Sequence, residues 1–336
     1  MIDAKILADS ISERGDRITT YLLTFPRIIL AEFNTHRAFS RNSASSRAIP
    51  FKKMVESVQT NPFIPIAWQK DHKGMQGTEY ITSKDDIENC ISVWLKARDN
   101  AIKQSICLNG AEGFEAVTKQ LCNRLLEPFM WHTVICTATD YDNFFNLRCP
   151  EYLISWYPSD RPEALEPSQA IFKSKKDAIA RTEGECDNWT EEDWRECNIS
   201  QAEIHIQALA EAMWDARNES TPKVLGIAEW HIPFAEDTQS LRTTLLSGKF
   251  NDEEDITPDI NKIKLEIATA KCARVSYTTV GSTSNSSHTA DIELYNKLVE
   301  NGHKSPLEHS CQVASDSNWY YNIKGFKSLR YIVENE

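Results

Sequence analysis

Residues 36–47, His-Arg-Ala-Phe-Ser-Arg-Asn-Ser-Ala-Ser-Ser-Arg, crowd one histidine (His36), three arginines (Arg37, Arg41, Arg47), an asparagine (Asn42) and four serines (Ser40, Ser43, Ser45, Ser46) into twelve positions. Guanidinium forks and hydroxyls in one short stretch are how proteins hold phosphate or carboxylate oxygen. No acid occurs between Glu32 and Glu56. The arginines therefore have no local partner, and an unpaired cationic cluster is costly unless water or an anion neutralises it. The whole chain carries a formal charge of −12, so this basic island stands against its background.

Three other segments carry candidate chemistry. In Asp-Asn-Phe-Phe-Asn-Leu-Arg (142–148) two readings of Arg148 are open. It either snorkels from the end of an aromatic core stripe, or it pairs with the edge of a planar heterocycle on that aromatic shelf. In Asn-Gly-His-Lys-Ser-Pro-Leu-Glu-His-Ser (301–310) a helix stop precedes His303, Ser305, Glu308 and His309 around a proline turn. That histidine-glutamate-histidine spacing is not a standard zinc pattern, so a ligand-contacting turn is expected and no metal. In Cys-Asn-Arg-Leu-Leu-Glu-Pro (122–128) Arg124 sits on a mostly apolar stretch and is unremarkable alone.

These residues need a frame. Residues 17–34 alternate and then run apolar around Pro26, which predicts two strand-like pieces or a strand leading into a helix. Residues 50–83, rich in proline, glycine, lysine and aromatics, predict a long loop. Ser83 followed by Lys-Asp-Asp is an N-cap signal. Ile87, Cys90, Ile91, Trp94, Leu95 and Ile102 then follow at helical spacing until Asn109-Gly110 stops the helix. A second helix is predicted over 111–126, a strand over 131–139 and an amphipathic helix over 201–217. Residues 149–199 are polar and acidic and predict an insertion or surface lobe, helical or irregular, with a short lysine-rich helix near 168–181. Residues 218–260 predict loops and short elements. Cys-Ala-Arg-Val-Ser-Tyr (272–277), a Ser/Thr-rich loop (281–289) and a helix over 291–300 complete a C-terminal block.

Bulk properties exclude several classes. The 336 residues suffice for one large domain or two ordinary ones, and 41% apolar with 26% charged residues describes a folded, soluble chain. No run approaches the eighteen apolar residues of a membrane span. The N-terminus lacks a basic region followed by an apolar one, so no secretory signal is expected. Nine irregularly spaced cysteines without a CxxC pair fit reduced thiols in a cytoplasmic protein. Eleven glycines, with no GxGxxG and no P-loop, argue against Rossmann or Walker nucleotide binding. The acidic balance argues against wide contact with a nucleic-acid backbone.

Taken together, the segments resemble the flavin-dependent thymidylate synthases. That family's signature is Arg-His-Arg followed by a spaced Ser, Asn-Glu, Ser and Arg. It stands here as Thr35-His36-Arg37, Ser40, Asn42-Ser43, Ser45 and Arg47. The family's Asn-Phe-x-x-Leu-Arg run matches 143–148, and its arginine four residues before a proline matches Arg124 and Pro128. Its Ala-Arg-Val-Ser and Gly-His-x-(Ser/Thr)-Pro-(Phe/Leu)-Glu-His segments match 273–276 and 302–309. In the family these last two precede the signature; here they follow it, which implies a circular permutation. Residues 149–199 have no counterpart.

The resemblance implies an α/β (α+β) fold, a central mainly antiparallel sheet with helices packed around it. It implies a single permuted domain in which residues 263–336 complete the sheet and the flavin site. It implies methylation of dUMP at C5, with methylenetetrahydrofolate as carbon donor and NADPH-reduced FAD as hydride donor, in a homotetramer with shared sites. A related reaction, methylation or hydroxymethylation of a nucleotide such as dCMP, and a non-catalytic flavin- or nucleotide-binding role are the alternatives. On this reading His36, Arg37, Asn143 and Ser305 lie near FAD, with Ser43, Thr137, Thr139 and His303 on the same cofactor side. Ser45, Ser46, Arg47 and Arg124 hold the nucleotide phosphate. Arg148 pairs with the pyrimidine edge and favours its ionised form, and Glu32 and Thr35 belong to the substrate side. Several positions depart from the family: Thr35 replaces an arginine, Ser43 a glutamate, Glu32 a glutamine, and Thr137-Ala138-Thr139 replaces Asn-Ala-Arg. The lost positive and gained negative charge point to a cytosine nucleotide as a candidate substrate.

Overall fold

The computed structural model of the chain describes residues 1–74, 77–111, 113, 115–157, 166–182, 184–235, 241, 260–277 and 287–335. In chain order its principal elements are β1 (Asp3–Ser12), β2 (Arg17–Pro26), α1 (Leu30–Phe33), β3 (Ser40–Ser43), α2 (Phe51–Thr60), α3 (Lys84–Leu108), α4 (Lys119–Arg124), β4 (Trp131–Ala138), α5 (Asp142–Arg148), β5 (Tyr152–Trp156), β6 (Ser168–Phe172), α6 (Lys175–Arg181), α7 (Glu191–Glu196), α8 (Ile204–Glu219), β7 (Lys223–Leu225), β8 (Trp230–His231) and β9 (Cys311–Val313). The helices Ile260–Arg274, His288–Glu300 and Leu329–Asn335 complete the C-terminal part.

The central sheet runs β3-β4-β2-β1-β7. Its pairings are antiparallel except that of β1 with β7, so the fold is α+β with a mainly antiparallel sheet, as the sequence implies. Period-two alternation divides the faces. Tyr21, Leu23 and Phe25 of β2 share one face with Val134, Cys136 and Ala138 of β4. They form the main core with Phe144 and Phe145 of α5 and Ile206, Leu209 and Met213 of α8. On the other face Leu22 and Ile135 meet Cys272 and Val275 of the C-terminal block. That face also carries the directly paired hydroxyls Thr20 and Thr137.

Several expectations change. Residues 51–60 are helix α2, because Met54 and Val58 fall one turn apart and are buried. The helix expected over 111–126 shrinks to α4, whose N-cap Thr118 accepts the Gln120 N–H. The 149–199 lobe is not merely helical: β5 and β6 form an antiparallel hairpin whose Tyr152, Ile154 and Phe172 pack with Trp194 and Cys186 in a core of their own. Residues 263–336 do not complete the central sheet. Their β9 pairs with β8 and with the strand Phe326–Ser328 in a separate three-stranded sheet. The Ser/Thr-rich loop lies outside the described residues from 278 to 286. Among the described residues, no helix is long and apolar enough to cross a membrane.

Candidate functional site

Strand β3 places Asn42 opposite Ile135 and Ser43 opposite Val134. Beyond it the chain turns sharply. Ala44 N–H donates to Thr133 O at 2.8 Å, Ser45 N–H to Ser276 O at 3.1 Å, and the N–H groups of Ala48 and Ile49 return to Ser45 O. The turn is thus pinned to β4 on one side and to the Val275–Tyr277 turn on the other. Downstream, the helix His288–Glu300 ends at Asn301 and Gly302 takes φ 70°, a left-handed value that lets the chain reverse. A short 3₁₀ turn, Ser305–Glu308, follows. Ser305 Oγ donates to Asn42 Oδ1 and ties this turn to β3.

These stretches enclose a cavity of about 630 Å³. Asn42, Ser45, Arg47 and Ala48 form one wall, Ala273, Ser276 and Tyr277 another, and Gly302 to Pro306 a third, with Gln120 of α4 and Leu298 closing it. Among the described residues that line it there is no aspartate or glutamate. Its polar groups are Arg47, Lys304, His303, four hydroxyls and two amides, a donor-rich set suited to anionic oxygen. Arg47 Nε donates to Gln120 Oε1 at 3.1 Å, which orients the guanidinium. Lys304 Nζ pairs with Glu334 at 2.5 Å at the rim.

A second cluster forms at the end of α5. Arg148 Nε donates to His36 Nε2 at 3.2 Å, and its Nη1 pairs with Glu32. Since a guanidinium only donates, His36 must accept at Nε2 and carry its proton on Nδ1. Burial, then the charges of Arg148 and Arg41, push the His36 pKa down to about 4. Its ring packs edge-on against Phe144 at 4.8 Å and stacks on Phe39 at 5.8 Å. Burial pushes the Glu32 pKa up against the pull of Arg148.

The expected site residues therefore separate. Ser45, Arg47, His303 and Ser305 share the cavity; Glu32, His36 and Arg148 share the second cluster. Thr35 and Arg37 are exposed beside that cluster, Thr35 Oγ1 donating to Glu32 O at 2.7 Å. Asn143 is exposed on α5, Arg124 is exposed on α4 and does not line the cavity, and Ser43 is half-buried in β3. Three expectations are corrected. Ser46 is buried, and its hydroxyl donates to Glu127 Oε1 at 2.5 Å rather than into the cavity. Thr137 is fully buried between Thr20 and His309, out of reach of a cofactor. Thr139 Oγ1 accepts the Lys324 N–H at 2.9 Å, so the C-terminal strands occupy it. The histidine-glutamate-histidine motif also disperses: His303 faces the cavity, Glu308 pairs with Arg330 at 2.6 Å, and His309 is buried against Thr137.

No protein-family model matches the chain. No curated protein matches it either. Among solved structures, the UMP/dUMP methylase PolB from Streptomyces cacaoi bound with 5-Br dUMP is similar at 15% identity, covering 60% of this chain and 66% of that one, with a TM-score of 0.37. The structure of PolB bound with 5-Br UMP is similar at 14% identity, covering 65% of this chain and 89% of that one, with a TM-score of 0.41. The chain thus spans just under two thirds of the first of these structures.

The geometry adds residues that spacing alone does not single out. Gln120 enters the cavity from α4 with no local signal in its sequence. Ser276 and Lys304 lie inside recognisable motifs, yet only the turn geometry aims them at the cavity.

Proposed function

We propose that the protein transfers a one-carbon unit to C5 of a pyrimidine deoxynucleoside monophosphate, as in the conversion of dUMP to dTMP. The observation that carries this is the cavity, without a carboxylate among its described lining residues, into which three motif segments converge from opposite ends of the chain: 42–48, 273–277 and 302–306. Chance matches to short motifs have no reason to meet in space. Ser45, Arg47 and the donors of the Ser305 turn would hold a nucleotide phosphate through charge-assisted hydrogen bonds. The donor set equally fits a phosphate of FAD, with His303 and Ser305 on that side and neutral His36 offering a hydrogen bond to a flavin. In the proposed reaction FAD, once reduced by NADPH, supplies the hydride and methylenetetrahydrofolate the carbon.

Arg148 would meet the base edge, and its charge would favour a nucleophilic C5. Arg148 and Arg124 do not line the cavity within one chain. The proposal therefore includes a homotetramer whose shared sites bring these arginines to a neighbouring cavity. The test is twofold. Purified protein, reconstituted with FAD where necessary, should show the flavin visible bands. Tritium should be released from C5-labelled dUMP or dCMP only with methylenetetrahydrofolate and NADPH present. A protein that takes up no flavin and releases no tritium from either nucleotide refutes the proposal.

A further inference from the structure

The turn that brings His303 and Ser305 to the cavity is held from behind by a buried chain of hydrogen bonds. His309 Nδ1 lies 2.8 Å from Thr137 Oγ1 on β4. Thr137 Oγ1 lies 2.7 Å from Thr20 Oγ1 on β2, and Thr20 Oγ1 lies 2.8 Å from His231 Nε2 on β8. His231 Nδ1 then lies 2.9 Å from Ser10 Oγ on β1. All five side chains are buried. The chain crosses three neighbouring strands of the central sheet and links β8 to the turn that precedes β9.

Each member has one mobile hydrogen: a hydroxyl has a single O–H, and a neutral imidazole a single N–H. With one N–H and one lone-pair nitrogen, neutral His231 therefore accepts on one side and donates on the other. His309 Nε2 has no hydrogen-bond partner among the described residues. Among the described residues the imidazole is hydrogen-bonded at Nδ1 alone, so Thr137 is its polar anchor. Losing that bond would strand a second buried polar group. Four residues earlier, the same turn makes its front contact, Ser305 to Asn42. The turn is thus fixed to β3 at its start and to β4 at its end.

We propose that Thr137 and His309 are positioning residues for the cavity: the Ser10–His231–Thr20–Thr137–His309 chain sets the distance between the Ser305 turn and the Ser45–Arg47 wall across a bound phosphate. This rests on the cavity being a phosphate site. Donors on opposite walls act together on one anion only at the right spacing, and a displacement near 1 Å can cost about a hundredfold.

The test titrates dUMP and inorganic phosphate by calorimetry into the full-length protein and its variants, with thermal midpoints measured alongside. Thr137→Ser keeps the hydroxyl and should bind within about threefold of wild type. Thr137→Val removes it at nearly constant shape and should lose about tenfold or more. His309→Asn, whose amide reaches about as far as Nδ1, should rescue most of the affinity that His309→Ala loses. The proposal is overturned if Thr137→Val lowers the thermal midpoint but binds like wild type, because the chain is then only structural. It is also overturned if Thr137→Ser loses as much as Thr137→Val. Should the valine variant not fold, Thr137→Ala replaces it; failure of both to fold assigns the bond to the fold and overturns the proposal. Wild type that binds neither phosphate nor dUMP instead removes the phosphate reading of the cavity, a result distinct from the others, and the proposal falls with it.

Discussion

Arg148 holds Glu32 and His36 at once, donating Nη1–H to the carboxylate and Nε–H to the imidazole at 3.2 Å. Of its five N–H donors these contacts use two, and Arg148 and Glu32 themselves remain partly open to solvent, whereas His36 is buried. The pair therefore presents an acceptor beside free donors. A cytosine edge can give its amino hydrogen to Glu32 while its ring nitrogen accepts from Arg148. Uracil in the same pose turns O4, an acceptor, toward the carboxylate. Glu32→Gln offers a donor in place of that charge. The dUMP-to-dCMP affinity ratio should move toward dUMP by about tenfold, in line with the roughly 1–3 kcal/mol of a base-edge contact. Calorimetric titration of both nucleotides measures it, and an unchanged ratio removes Glu32 from base selection.

Adjacent serines give the second prediction. Ser45 lines the cavity, whereas the Ser46 hydroxyl is spent on Glu127, which also approaches Arg27 at 3.6 Å. Ser45→Ala should weaken phosphate or dUMP binding by about tenfold with little change in stability. Ser46→Ala should leave binding nearly intact and cost about 1–3 kcal/mol of stability, because a partly buried carboxylate loses a donor. Urea unfolding and calorimetry on both variants separate the two effects. Equal loss of binding in the two would mean that the turn, not the individual hydroxyl, is what matters.

That division marks the limit of what the sequence discloses. The donor content of 36–47 is legible because composition alone carries it. Which serine faces the cavity is not, since it depends on Glu127, eighty-one residues away. Strands β2 and β4 and helices α3 and α8 are legible from period and caps. Helix α2 carries its buried Met54 and Val58 at helical spacing, but the proline- and glycine-rich stretch after it masks the period when 50–83 is taken as one block. Strand β9 and its neighbours span two or three residues each, too few to show alternation. Thr137 looks like a ligand contact by motif position. Its register opposite Thr20 and its bond to His309, 172 residues away, put it inside the protein instead.

Thiol reactivity offers a third check. Seven of the nine cysteines are buried, and only Cys90 and Cys197 are partly exposed. Burial pushes the Cys197 thiol up to about 11, so little thiolate forms there at neutral pH. Cys90 of α3 lines an open apolar groove with Val93 and Trp94 of the same helix and Trp68 of the segment before it. Under native conditions at pH 8, a thiol reagent should therefore label Cys90 first, with the remaining eight reacting only on unfolding. Mass mapping after brief labelling tests this, and early labelling of Cys136 or Cys272 would contradict the packing of the central sheet.

Acid should destabilise the fold through its histidines. Burial is the largest cause in each case: it pushes His36 and His231 down to about 4, and His132 and His309 down to about 3. The ordinary value in an unfolded chain is about 6.5. Between these limits the unfolded state binds more protons than the folded one, so stability falls as pH falls. The contribution of these histidines is complete above pH 6.5 and is lost toward their folded values. Well below pH 6.5 each costs on the order of 1 kcal/mol per pH unit. Glu32, Glu211 and Glu266 act in the opposite sense, because burial raises their pKa values and the folded state takes up their protons first. That opposition acts between their raised folded values and the ordinary carboxylate value of about 4.3, and it offsets part of the histidine loss. Four rings outweigh three carboxylates, so the urea midpoint should still fall as pH drops from 6.5 toward 5. His231→Asn should shallow the drop, since one of the four imidazoles no longer takes a proton on unfolding. A midpoint that stays flat from pH 7 to 5 would mean that these rings are solvated or charged in the folded protein, and the buried chain from Ser10 to His309 could not then stand as described.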